Sequence, residues 1–148
     1  MQYESKIPYK IYPDFKVFTS YAIQDITFDD LHNHVLELMS DVYFSAGVNG
    51  IYDFSKITSL TGDLDRWRML AEGMSSDEVI VAKAKTAIVL PEDNLSLHQI
   101  MEGYLIMTAG SLIDYQIFTP PQWQEAMEHV GLGIFKDMQD FEKKAAVQ

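Results

Sequence analysis

The chain has 148 residues, 47% hydrophobic and 22% charged, with 22 acidic against 11 basic side chains, a formal charge of −11 and no cysteine. That length suits one domain, able to bury roughly 70% of its unfolded surface. The missing thiols exclude disulfides, thiolate metal ligands and a cysteine nucleophile, and the absence of any Lys or Arg from Thr86 to Phe135 speaks against nucleic acid and anionic membranes, whose phosphates need a basic patch.

The N-terminal stretch "MQYESKIPYKIY" lacks the basic-then-apolar pattern of a signal segment, and no apolar run approaches the ~20 residues that cross a bilayer. A cytoplasmic protein without membrane insertion is expected. "IPYKIY" and "FKVFTSYAIQ" read as two extended runs joined by a turn at Pro13 and Asp14, hence antiparallel. Thr27 then has the character of an N-cap, and Phe28, Leu31, Val35, Leu38 and Val42 recur at spacings of three and four, which predicts the first helix. "GVNGIYDF" predicts a third, buried strand.

A second helix is predicted from Leu64, Trp67, Leu70, Ala71 and Met74, ending near Gly73 to Ser76, with Asp63 and Asp65 at its start. "AKTAIVLP" is the clearest buried strand. "SLHQ" at 96 to 99 has the spacing of a capping box, so a third helix is predicted from Ser96 to Gly110 with Leu97, Ile100, Met101, Tyr104 and Leu105 inward. "LIDYQIFT" predicts the fifth strand. Thr119, Pro120, Pro121 and Gln122 then open a fourth helix whose apolar stripe is Trp123, Ala126, Met127 and Val130.

The predicted architecture is α/β: a single mixed β-sheet with element order β β α β α β α β α and packed helices, over residues 1–132. Residues 133–148 are predicted to add a short C-terminal helix with Ile134, Met138, Phe141 and Ala145 on one side. That stripe either packs on the domain or meets a partner, including a second copy in a homodimer.

This order, with "IYDFSKIT" as a strand carrying Asp53, resembles the STAS fold of the anti-sigma-factor antagonists. A closer resemblance is to the stand-alone bacterial SpoIIAA-like proteins, which are structurally akin to lipid-binding CRAL-TRIO domains. It is carried by Ile51, Tyr52 and Asp53, by "AIVLPEDNLSLHQIMEGY" and by "YQIFTPPQWQEAMEHVGL", over roughly residues 7 to 132. The resemblance implies a regulatory module that binds a protein partner. It also directs attention to the stretch that holds the regulatory serine in the antagonists, here "SLTGD" and about two residues shorter. Thr61 before Gly62 is the nearest match to the phosphoacceptor, and Ser59 is the second choice.

A phosphate on Thr61 would meet a helix N-terminus, where backbone N–H groups favour an anion; the plainer role for Thr61 is an N-cap. Asp53, read as the C-terminal end of a central strand, lies where open α/β sheets place functional groups, and its plainer role is capping a loop or pairing with a base. The predicted loop 55 to 62, with Ser55, Lys56 and Thr58, together with Arg66 and Arg68 on the second helix, forms the expected interaction or ligand surface. His32 and His34 lie about 200° apart around a helix and cannot share a metal, while His98 and His129 have no ligand spacing; all four are expected at the surface, with no metal and no cofactor. No phosphate-binding loop, dinucleotide fingerprint or nucleophile elbow is present. The expected function is therefore non-catalytic: a regulatory or protein-interaction module. The alternative is a carrier for a small apolar or lipid-like ligand, lined by the Met and aromatic side chains of the core.

Overall fold

A computed structural model describes residues 6–76 and 78–146; residues 1–5, Asp77 and residues 147–148, the last two of the predicted C-terminal segment, lie outside the described residues. The strands are β1 (Tyr9–Tyr12), β2 (Val17–Thr27), β3 (Asn49–Thr61), β4 (Ala84–Val89) and β5 (Ile113–Phe118); the helices are α1 (Phe28–Met39), α2 (Leu64–Met74), α3 (Leu95–Met107), α4 (Trp123–His129) and α5 (Met138–Ala145). They form an α/β fold around one mixed sheet of order β1-β2-β3-β4-β5. The β1 and β2 pair is antiparallel, turning through a 3-10 turn at Pro13–Phe15 and a left-handed Lys16, and the other three pairings are parallel.

Because each parallel strand adds beside its predecessor, the crossover helices stack on one face. Phe28, Leu31, Val35 and Leu38 of α1, Trp67 and Leu70 of α2, and Met101 and Tyr104 of α3 share a core with Ala22, Ile26, Phe54, Ile57, Leu60 and Ile88 of the sheet. The opposite face carries a second core, in which Val17, Ile51, Ala87 and Val89 meet Ala126 and Met127 of α4, then Leu132, Phe135 and Phe141. Of the two fates open to the C-terminal segment, its main apolar anchor takes the first: Phe141 is fully buried and packs edge to face on Tyr12, Phe15 and Phe135. The stripe proposed for a homodimer is thus largely spent on the chain's own core, with Ile134 left exposed and outside the helix.

Local chemistry explains several boundaries. Thr27 caps α1 in a reciprocal box with Asp30, and α1 stops at Met39, so Val42 is exposed instead of inward. Asn94, not Ser96, caps α3, its carboxamide oxygen accepting from the Leu97 N–H at 3.2 Å. Leu64 at the first turn of α2 faces solvent, leaving Trp67, Leu70 and Ala71 as the buried stripe. Thr119 and Gln122 form the box predicted before α4.

Gly50 carries a checkable packing constraint. A Cβ built there would fall within 3.0 Å of three ring atoms of Phe18, a buried ring held edge to face against Tyr52. Gly50→Ala should therefore cost about 1–3 kcal/mol by overpacking, read as a lowered urea midpoint with an unchanged slope. A midpoint equal to that of the parent chain would refute the contact.

Candidate functional site

The segment expected to be a loop at 55 to 62 is instead, through Thr61, the second half of β3, paired with β2 as far as Thr27 opposite Thr61. Its apolar residues Phe54, Ile57 and Leu60 are spaced by three, which no regular strand allows on one face. Two register shifts resolve this. β3 advances from Asp53 to Lys56 while β2 advances from Tyr21 to Ile23, and from Ile57 to Ser59 while β2 moves from Gln24 to Asp25. Each bulge inserts one residue, so the three side chains return to the same core every third position. Gln24, at the second bulge, takes φ +63°, a left-handed conformation that accommodates the distortion.

The first bulge also shapes the opposite face. Strict alternation would send Ser55 and Lys56 to opposite sides of the sheet, yet both line the same groove with Asp53. This groove, of about 800 Å³, lies where the second face of the sheet loses its helical cover. Its floor is Thr19, Tyr21, Asp53 and Ser55; β1 contributes Lys10 and Tyr12, the start of α4 contributes Trp123, and the α5 segment contributes Asp137, Met138 and Glu142. The change of character is written in the strands: Val17 and Ile51 are covered by the second core, and the next residues on that face, Thr19 and Asp53, are polar or half-buried and not closed over by a helix.

Asp53 does not end its strand. It does stand opposite Val89, the last residue of β4, so it sits at the carboxyl edge of β4 and β5 while β2 and β3 run on. Its carboxylate accepts from the Ser55 N–H at 3.2 Å and from the Ser55 hydroxyl at 2.6 Å. The Lys10 ammonium lies 5.0 Å from the centre of the Tyr12 ring. Burial, and then the nearby Glu142 carboxylate, raise the Tyr12 phenol above its ordinary pKa, against a hydrogen bond with Thr19 that lowers it. The phenol is neutral at pH 7.

The other expected site residues lie elsewhere. The Thr58 and Ser59 hydroxyls both donate to Asp25, at 2.6 and 2.7 Å, and those two bonds hold the Asp25 carboxyl below its usual range. Thr61 is not the cap of α2: after a turn at Gly62 with φ +129°, Asp63 takes that place and accepts from the Asp65 N–H at 2.9 Å. A carboxylate thus already occupies the helix end that a phosphate on Thr61 would approach. Arg66 pairs with Asp29 at 3.3 Å and Arg68 with Asp65, so neither base faces the groove. The single predicted surface is therefore three places: Asp53, Ser55 and Lys56 in the groove, Thr58 and Ser59 on Asp25, and Thr61, Arg66 and Arg68 around the start of α2.

The histidines also differ from expectation. His34 is buried, 1% exposed, because α1 turns it into the core, where its Nε2 lies 3.0 Å from the Ser20 hydroxyl and its ring packs between Tyr9 and Tyr52. His98 and His129, both half-buried, donate from Nε2 to the carbonyls of Pro91 and Asp114, at 2.8 and 3.0 Å. Among the described residues no group of three or more His, Asp or Glu is placed to hold a metal ion, and no helix is long and apolar enough to cross a membrane.

Beneath α1, α2 and α3 the first core leaves a half-open pocket of about 30 Å³ between Tyr52, Trp67, Met101 and Tyr104. The Tyr104 hydroxyl donates to that of Tyr115 at 3.0 Å, and burial raises both phenols, Tyr115 to about 12. The chain matches no protein-family model, no curated protein and no solved structure.

Proposed function

We propose that the protein is a non-catalytic, STAS-like regulatory module that binds a short segment of a protein partner in the groove between the sheet and α5. The observation that carries this reading is the make-up of the groove. Tyr12, Tyr21, Trp123 and Met138 stand beside charged groups of both signs, and aromatic and Met side chains are the types enriched where proteins meet. Its volume of about 800 Å³ falls within the range of ligand sites. The STAS-like scaffold is supported by the element order and by Asp53 on the third strand; such a scaffold hosts many functions, so the groove and not the fold argues for binding.

The contact surface thereby moves. Of the surface expected to meet the partner, Asp53, Ser55 and Lys56 remain in the groove, while Thr58, Ser59, Thr61 and the second helix lie outside it. The carrier alternative would need the first core to hold a ligand, and a pocket of about 30 Å³ has room for one water molecule, not for a lipid chain.

Panning a displayed library of random peptides against the intact chain supplies probes. Nuclear magnetic resonance mapping of the selected peptides should shift Thr19, Tyr21, Ser55 and Trp123. Shifts centred on Arg66 and Arg68 of α2 would sink the groove as the binding surface.

A further inference from the structure

We infer that the segment seated in the groove carries charges of both signs: an acidic group against Lys10 and Lys56 on the sheet, and a basic group against Glu142 on α5. The inference rests on the groove reading above and specifies its partner. Acids outnumber bases two to one in this chain, and Lys6, Arg66, Arg68 and Lys144 each hold a carboxylate. Lys10 and Lys56 line the groove and, among the described residues, form no ion pair.

Asp53, which shares the groove with Lys56, turns its carboxylate to the Ser55 N–H and hydroxyl instead. On the facing wall Asp137 is engaged as the cap of α5, accepting from the Asp140 N–H at 2.9 Å, and Asp140 pairs with Lys144. Glu142 is the acid of that wall whose side chain makes no hydrogen bond or ion pair among the described residues. A wholly acidic segment would be drawn to the two lysines and repelled by the α5 wall, and a wholly basic one would meet the reverse. A segment with both signs would give each of the three groups the opposite charge that it lacks among the described residues, and opposed charges set register as well as affinity.

The test uses peptides selected by panning on the intact chain, measured by fluorescence anisotropy against three variants whose substitution sites are all exposed. Tyr21→Ala reports on the groove itself. Lys10→Glu with Lys56→Glu, and separately Glu142→Lys, report on the charges. Each charge reversal should weaken binding by roughly tenfold, since attraction becomes repulsion. Replacing the peptide's acidic residue with Lys should restore binding to the Lys10→Glu, Lys56→Glu chain. Peptides that lose affinity with Tyr21→Ala but ignore every reversal would overturn the charge inference and leave the groove standing. Peptides indifferent to Tyr21→Ala, or no selected peptides at all, would overturn both. Unchanged urea midpoints in the variants keep a loss of binding from being a loss of fold.

Discussion

Phe141→Ala should destabilise the protein by about 3–5 kcal/mol, the range for deleting a buried phenyl ring that leaves a cavity behind. The side chain is fully buried although only seven residues follow it, on the short α5. Its ring contacts Tyr12, Phe15 and Phe135 at centroid distances of 4.8, 5.1 and 5.1 Å, all edge to face, so the loss includes aromatic contacts as well as buried area. Urea unfolding followed by tryptophan fluorescence and by circular dichroism measures it. A loss under about 1 kcal/mol would mean that α5 lies outside the cooperative unit. The result bears on function, because α5 is one wall of the groove: a helix so anchored presents Glu142 and Met138 on a rigid support.

The second large effect is a pH dependence centred on His34. Burial lowers its pKa from 6.5 to about 4, partly offset by a backbone hydrogen bond to Ile7. The unfolded chain takes up a proton near pH 6.5 while the folded chain resists until about 4, so in that window the unfolded state binds more protons and stability falls as pH falls. The loss across the window is about 3 kcal/mol. Asp41, Asp25 and Asp140, held below the usual carboxylate range by their hydrogen bonds, favour the fold above their unfolded pKa and withdraw that support only in stronger acid. Denaturant midpoints from pH 7 to pH 4 should therefore decline steeply for the parent chain and less steeply for His34→Gln. Parallel curves would show that His34 does not carry the effect. Nearby Tyr9 donates to Asp41 at 2.7 Å, and its phenol, raised to about 12 chiefly by burial, stays neutral throughout.

His34 also shows where reading the sequence stops. His34 stands three residues after Leu31 and four before Leu38, which sets it beside the stripe of Phe28, Leu31, Val35 and Leu38, but its polar ring gives no local reason to be buried. What turns it inward is the pocket made by Ser20, Tyr9 and Tyr52, residues from two other strands and the edge of the sheet. Asp53 was visible as a polar residue at the end of an apolar run, and the structure places it at the carboxyl edge of β4 for a reason the run did not contain, namely that β3 outlasts its neighbour. Lys10, Thr19, Tyr21 and Glu142 carried no signal at all. They meet because β1, β2, β3 and α5 converge on one face.

Local patterns along the chain suffice for the elements: the hairpin at Pro13, the Thr27 and Thr119 caps, the alternation of strands and helices, and hence a single mixed sheet with helices packed on it. These follow from short-range periodicity and from the bonding needs of chain ends, which adjacent residues satisfy. Long-range contacts make residues 55 to 61 a strand and open the groove. The spacing of Phe54, Ile57 and Leu60 breaks the strand period of two, and it becomes a core-facing row of a strand only when β2 supplies a partner against which two residues can bulge. The groove likewise depends on where helical cover ends on the second face, a boundary set by the packing of α4, Phe135 and Phe141 and by no local run of residues.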